Sequence, residues 1–130
     1  MENPPLPLLL ENEELEHKKK YNISFHLVAI PVSGKADTTE YSPINGLLES
    51  ILINWPGESV TVTGDIEVVF FKEEEKILPD NRTTLYLVGT TQRFHINRVV
   101  NENDRIILYA KNNSTTLPGR IDAVVQISEL

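Results

Sequence analysis

The sequence predicts an all-β sandwich, and three features of the chain support this fold class. Val, Ile and Thr supply 33 of the 130 residues (11, 12 and 10), whereas Ala supplies only 4. β-branched side chains favour pleated, half-buried strands over helices. Segments with apolar residues at every second position recur about every 8–12 residues, with turn-forming residues between them. About eight strands in a single antiparallel β-sandwich or jelly roll account for this pattern.

Each predicted strand is an alternating or continuously apolar segment. In the first one, Phe25 and Leu27 share a face, and His26 lies on the opposite face. Such alternation is typical of a strand with one buried side. In chain order, the predicted strands are YNISFHLVAI (21–30), LLESILINW (47–55), SVTVT (59–63), DIEVVFF (65–71), TLYLV (84–88), RFHINRVV (93–100), RIILYA (105–110) and RIDAVVQI (120–127).

Turn signals separate these strands. Pro56-Gly57, the charged segment 72–76 (KEEEK) and the Pro-Asp-Asn sequence at 79–81 each favour a reversal of the chain. The segments NEND (101–104) and KNNSTTLPG (111–119) separate the last three strands. The longest break is 31–46, which is expected to contain either a short strand or a surface excursion.

The alternation also predicts which side chains form the core. The inward-facing positions are large and apolar, and replacing one of them with Ala should cost about 2–5 kcal/mol. The predicted core is Phe25, Leu27, Ile51, Ile53, Trp55, Val60, Val62, Ile66, Val68, Phe70, Leu85, Leu87, Ile106, Leu108, Val125 and Ile127.

The first twenty residues, MENPPLPLLLENEELEHKKK, differ in composition from the rest. Their prolines fix φ and remove backbone donors, which predicts an extended or polyproline II-like start, with a short helix over 11–19 as an option. Basic residues follow the short apolar stretch, whereas a secretory signal has them before it, so no export is expected. The chain therefore divides into an N-terminal extended arm (1–20) and a β-sandwich domain (21–130).

Composition excludes several function classes. Lys and Arg number 12 against 19 Asp and Glu, giving a net charge of −7 and a pI near 4.9. Because binding to nucleic acid needs a basic surface, no direct nucleic-acid partner is expected. No apolar run reaches the roughly 18 residues of a membrane-spanning helix. Without cysteine there is no disulfide, thiolate metal site or cysteine nucleophile.

The residues that carry chemistry form no recognisable catalytic, cofactor or metal motif. His17, His26 and His95 are far apart in sequence, so no pair has the spacing of metal ligands. The acidic run 73–75 and the Asx-rich segment 101–104 are interpreted as solvated turns, since the latter lacks the glycine and bidentate glutamate of a calcium loop. We therefore expect no enzyme activity, and neither cofactors nor metals.

The order of segments from Leu47 to Ile127 resembles one class of proteins. LLESILINWPGESVTVTGDIEVVF precedes an ILPDN turn, and RFHINRVVNENDRIILYAKNNS precedes RIDAVVQI. This order is similar to that of the small jelly-roll or β-sandwich proteins of virus particles, namely auxiliary capsid, decoration and head-fibre-type proteins of phages and related viruses. The resemblance implies a structural role, commonly as a trimer on a particle surface, and it transfers no site residues.

These observations lead to one functional hypothesis and one alternative. The hypothesis is a non-enzymatic virion protein whose arm binds copies of itself and other capsid proteins; otherwise the protein would be cytoplasmic. The arm residues expected to bind the partner are Pro4, Pro5, Leu6, Pro7, Leu8, Leu9 and Leu10. The alternative is a carbohydrate-binding or adhesin-like module, which requires Trp55, Tyr86 and Tyr109 to be exposed on one concave or flat face.

Overall fold

The computed structural model describes residues 19–54, 66–78, 91–116 and 118–130. Within these ranges the chain forms eight β-strands and no helix. The strands are β1 (Lys20–Ile30), β2 (Lys35–Tyr41), β3 (Gly46–Asn54), β4 (Ile66–Lys72), β5 (Glu75–Leu78), β6 (Thr91–Val100), β7 (Arg105–Asn112) and β8 (Gly119–Glu129). The predicted all-β class is confirmed.

The strands form two antiparallel sheets of four strands each. Sheet A has the order β1-β8-β3-β6, and sheet B has the order β2-β7-β4-β5. Four of the strand pairs are nested, because β1 pairs with β8, β2 with β7, β3 with β6 and β4 with β5. The chain therefore resembles one long hairpin folded over on itself. Contacts of β8 with β3 and of β7 with β4 complete the two sheets, giving a jelly-roll topology.

The core lies between the sheets and joins them through two aromatic rings. Phe25 of sheet A and Phe70 of sheet B meet edge to face, with ring centroids 5.6 Å apart and an interplanar angle of 85°. Such pairs add attraction beyond the area they bury. Every described residue of the predicted core is buried, while Trp55, Val60, Val62, Leu85 and Leu87 lie outside the described residues. The core further includes Ile30, Leu48, Ile77, Leu78, Val100, Ala110, Ile121 and Ala123.

Two of the eight strands lie outside the predicted strand segments, although a short strand is one of the two predictions for the break at 31–46. The long break at 31–46 contains β2, and the charged turn is shorter than expected because β5 begins at Glu75. Among the described strands, both are at the edges of sheet B, and each has one neighbouring strand. The predicted strands at 59–63 and 84–88 lie outside the described residues.

An irregularity in β3 changes which face its residues occupy. Leu48 pairs with Ile127 of β8, but Ser50 pairs with the next residue, Gln126, so Glu49 is an extra residue in β3. A bulge of this kind reverses the alternation, and Ile51 therefore faces the core just as Leu48 does. Ser50 lies on the outer face yet is only 3% exposed, and the Arg93 guanidinium donates a hydrogen bond to its hydroxyl at 2.9 Å.

The tip of the β4–β5 hairpin is attached to β7 by a carboxylate. Glu73 has a φ of 54°, in the left-handed region. Its Oε2 accepts a hydrogen bond from the Arg105 backbone N–H at 2.6 Å, and its Oε1 accepts one from the Arg105 guanidinium at 3.2 Å. These two hydrogen bonds, the backbone one first, hold the pKa of Glu73 below its ordinary value.

We expect Glu73 to make the protein more stable at neutral than at acid pH. A carboxyl group whose pKa is lowered on folding contributes stability above its unfolded-state pKa, about 4.3 for glutamate, and loses it as pH falls through the folded-state pKa. Replacing Glu73 with Gln should therefore reduce the melting temperature at pH 7 and flatten its decline below about pH 4.3. Thermal melts at pH 3 to 7 would measure this difference. Glu74→Gln is the matched control, and equal pH profiles for the two variants would contradict the assignment.

Candidate interaction surface

The arm residues predicted to bind a partner, from Pro4 to Leu10, lie outside the described residues, so their role stays a prediction. The structure does describe where the arm joins the domain. The backbone of Lys19 accepts a hydrogen bond from the Glu129 N–H at 2.9 Å and donates one to the Glu129 carboxylate at 3.1 Å. The chain preceding β1 is therefore held against the end of β8.

The polar residues considered from sequence occupy structural positions in the sheets and turns. His26 is exposed, and its Nδ1 lies 2.8 Å from Oδ1 of Asp122. His95 is also exposed, whereas His17 lies outside the described residues. The 101–104 segment forms a turn in which Asp104 Oδ2 accepts a hydrogen bond from the Asn101 N–H at 2.8 Å, so the turn prediction is confirmed. In the acidic run, Glu75 forms an ion pair with Arg98 of β6.

Within the described ranges, no group of three or more His, Asp or Glu side chains is placed to hold a metal ion. No helix in the same ranges has the length and apolar composition needed to cross a membrane. The inner faces of the two sheets form the core, so the described strands present their two outer faces to solvent or to a partner.

The outer face of sheet A is mostly polar, although Leu52 is the direct partner of Val124 there and Val99 is 57% exposed. At one level of the sheet, His26, Asp122, Asn54 and Thr91 are successive partners across all four strands. The carboxylate of Asp122 is bonded to His26, and Asn54 Oδ1 accepts a hydrogen bond from the Thr91 hydroxyl at 3.1 Å. This face is typical of a sheet side that water covers.

The outer face of sheet B is different, because four apolar side chains lie together at its centre. Val69 is the direct partner of Tyr109, and Phe71 is the direct partner of Ile107, on the adjacent strands β4 and β7. All four side chains are half-buried, and the core-facing residues Val68, Phe70, Ile106, Leu108 and Ala110 alternate with them. Directly opposed residues have Cβ atoms about 4.5–5.5 Å apart, so the four form one continuous patch. Tyr41 of β2, which is 57% exposed, borders it. We call these four central residues the sheet B patch.

Basic side chains flank one end of the sheet B patch. Lys35 of β2 is the direct partner of Lys111 of β7, and both are exposed. Neither lysine forms an ion pair with another described residue. On its other side, Lys111 has Glu67 of β4 as its direct partner, and the Glu67 carboxylate accepts a hydrogen bond from the Asn113 side chain at 2.8 Å. Because like charges placed opposite each other are unfavourable, a negative group in addition to Glu67 and Asp37 would lower the repulsion between the two lysines.

Two apolar runs in the sequence correspond to the sheet B patch. Segments 68–71 (VVFF) and 106–109 (IILY) are apolar at consecutive positions, so they break the polar alternation of a strand with one wet side. Continuous apolar runs are typical of strands that are covered on both faces. The predicted core includes Val68 and Phe70, whereas no role is predicted for Val69 and Phe71.

Of the three aromatic residues required for the carbohydrate-binding alternative, the structure describes only Tyr109. Tyr109 belongs to the sheet B patch, where it is half-buried beside Val69. Trp55 and Tyr86 lie outside the described residues, so whether the three share a face stays a prediction. Tyr109 by itself is accounted for by the apolar patch.

Comparisons with known proteins support the fold. No protein-family model matches the chain, and a search of curated proteins gives no match. Among solved structures, that of FLHE superposes with a TM-score of 0.51 at 12% identity, over 85% of this chain and 96% of that one. At this identity, the likeness shows a shared fold alone.

Two further solved structures superpose less well. The capsid asymmetric unit of cyanophage Pam1 matches with a TM-score of 0.48 at 12% identity, over 88% of this chain and 86% of that one. A family 35 carbohydrate-binding module from Clostridium thermocellum matches with a TM-score of 0.40 at 10% identity, over 84% of this chain and 92% of that one. Both superpositions are too weak to inform function.

Proposed function

We propose that the protein is a non-enzymatic structural subunit of a virus particle, of the capsid-associated or decoration type. In this proposal it assembles with copies of itself and with other capsid proteins through its jelly-roll domain and its N-terminal arm. The observation that carries the proposal is the sheet B patch. A structural subunit needs a surface that is more stable when it is covered by another molecule.

The physical basis is the cost of leaving apolar surface in water. Burial of apolar surface is worth about 25 cal/mol per Å², so covering the part of the four half-buried side chains that is still exposed would stabilise a complex. On the outer face of sheet A, the central apolar pair Leu52 and Val124 is surrounded by polar side chains, so its apolar area is smaller than that of the sheet B patch. The asymmetry between the two faces therefore points to sheet B as the side that meets a partner.

The virion setting has separate support. Eight-stranded jelly rolls occur in viral capsid proteins and also in lectins, so the topology fits this role without determining it. The order of the segments from Leu47 to Ile127 resembles that of auxiliary virion proteins. The negative net charge of −7 is consistent with protein partners rather than nucleic acid.

The native mass in solution tests the proposal. We expect light scattering to give a multiple of the 14.7 kDa of one chain, with the trimer as the first expectation. Removing residues 1–18 retains Lys19 and its bonds to Glu129, so the β-sheet circular dichroism spectrum should not change, while the native mass should fall to that of one chain. A full-length chain that stays monomeric at high concentration and is not incorporated into particles would contradict the proposal.

A further inference from the structure

We infer that the sheet B patch is the docking site for the leucine-rich part of the arm, residues 6–10, of a neighbouring copy of this chain. This inference rests on the proposed function and adds to it the surface that receives the arm. It is carried by three features: the apolar match, the charge match, and the direction in which the chain leaves the domain.

The apolar match is one of composition and spacing. Leu6, Leu8, Leu9 and Leu10 lie within five residues of one another. In an extended chain, alternate residues are about 6.6 Å apart, which is also the spacing between alternate residues along β4 and β7. An extended Leu6-to-Leu10 segment can therefore place successive leucines beside Val69 and Phe71, or beside Tyr109 and Ile107. Pro5 and Pro7 restrict φ, which lowers the entropy cost of docking an extended peptide.

The charge match concerns the residues that follow the leucines. Four glutamates, at positions 11, 13, 14 and 16, come directly after Leu10. Lys111 lies two residues beyond Tyr109 along β7, at the end of the sheet B patch, and Lys35 of β2 is its direct partner. With the leucines over the patch and the chain directed toward these lysines, the glutamates lie beside the basic pair. Glutamates there would relieve the repulsion between the two lysines.

The direction of the chain favours a neighbouring copy over the same copy. Lys19 continues the pairing of β1 with the last residue of β8, Glu129. An extended continuation therefore passes beyond the end of sheet A and away from its own domain. β1, an edge strand of sheet A, contacts β2, an edge strand of sheet B, so an arm that reached its own sheet B face would have to turn back past β2. Eighteen extended residues reach roughly 60 Å, which is ample for a second subunit.

A complementation experiment with full-length chains tests this inference. One variant, Leu8→Asp with Leu9→Asp, has a defective arm and an intact sheet B patch. The other, Val69→Lys, has an intact arm and a defective patch. Each variant alone should be monomeric, because losing one buried apolar contact and adding a charge weakens docking by about ten- to a hundredfold. When the two are mixed, each intact arm meets an intact patch, and light scattering should detect a complex of the two.

Val124→Lys is the matched control. Val124 faces outward from the central strand β8 of sheet A, just as Val69 faces outward from the central strand β4 of sheet B. This control should assemble like the unmodified chain. If Val69→Lys assembles normally while the arm deletion still dissociates the oligomer, the arm docks elsewhere, and the proposed function survives without this inference. If both single-defect variants are monomeric and no complex forms on mixing, docking between copies is excluded.

Covalent capture locates the contact. The chain contains no cysteine, so an introduced Leu9→Cys and an introduced Tyr109→Cys are the only thiols present. A short bifunctional maleimide should join a Leu9→Cys chain to a Tyr109→Cys chain and give a product of twice the chain mass. Leu9→Cys mixed with a Val124→Cys chain should give little of this product. Equal yields from Tyr109→Cys and Val124→Cys would overturn the assignment of the surface.

Discussion

Replacing Phe70 with Ala is expected to lower the free energy of unfolding by about 3–5 kcal/mol. Phe70 is fully buried, and its ring meets that of Phe25 edge to face across the two sheets. The substitution removes this contact and leaves a cavity between sheets that are held apart by their other side chains. With total stabilities of about 5–15 kcal/mol for domains of this size, the loss is a large fraction of the whole. A urea titration followed by circular dichroism at fixed protein concentration would measure it.

The adjacent residue provides a control of the same type. Phe71 follows Phe70 in β4 but belongs to the sheet B patch and is half-buried. Phe71→Ala should cost the isolated fold about 1 kcal/mol, since no closed cavity forms. Its main effect should instead be on native mass. A larger loss of stability for Phe71→Ala than for Phe70→Ala would mean that the assignment of inner and outer faces in β4 is wrong.

The strands with regular apolar alternation could be predicted because their own sequences contain the necessary signal. In β7, Ile106, Leu108 and Ala110 alternate with less buried residues, and the observed burial follows the same period. The strands β1, β4, β6 and β8 likewise begin within two residues of their predicted positions. The buried side of such a strand must be apolar at every second position, so local sequence is sufficient.

The edge strand β2 could not be predicted in this way. Its sequence, KADTTEY, has few apolar residues, and none of its side chains is fully buried. It is a strand because it pairs with all of Arg105 to Lys111 of β7, and that pairing is a tertiary property. The β3 bulge is similar, since only the register against β8 shows that Glu49 is an extra residue.

The candidate surface was predictable only in part. The leucines of the arm were identified from sequence, but the surface that would receive them was not. That surface exists because β4 and β7 are adjacent in sheet B, although these strands are over thirty residues apart in the chain. The apolar runs at 68–71 and 106–109 indicate cover on both faces, yet they do not show that the two strands are adjacent.

The double substitution Leu8→Asp with Leu9→Asp is expected to abolish assembly at every salt concentration. Each fully buried leucine contributes roughly 1.5–3 kcal/mol before ordering costs are subtracted, and an aspartate in its place would need to lose its hydration. Because this loss is apolar in origin, changing ionic strength should not restore the oligomer. Light scattering between low salt and 1 M salt would measure the native mass, with the domain's circular dichroism as a check on folding.

A charge reversal at Lys18 and Lys19 separates this mechanism from an electrostatic tether. Lys20 is left unchanged because its Nζ lies 3.6 Å from the Glu49 carboxylate, and reversing it would disturb the domain itself. If the leucines hold the arm, the reversal should change the native mass little at any salt. If charge holds it, the reversal should dissociate the oligomer at low salt, and high salt should dissociate the unmodified oligomer as well, since charges about 10 Å apart are already screened at 0.1 M. The apolar mechanism therefore predicts an oligomer that high salt weakens only slightly, through the contact of the arm glutamates with Lys35 and Lys111, and that dissociates when the leucines or the sheet B patch are changed.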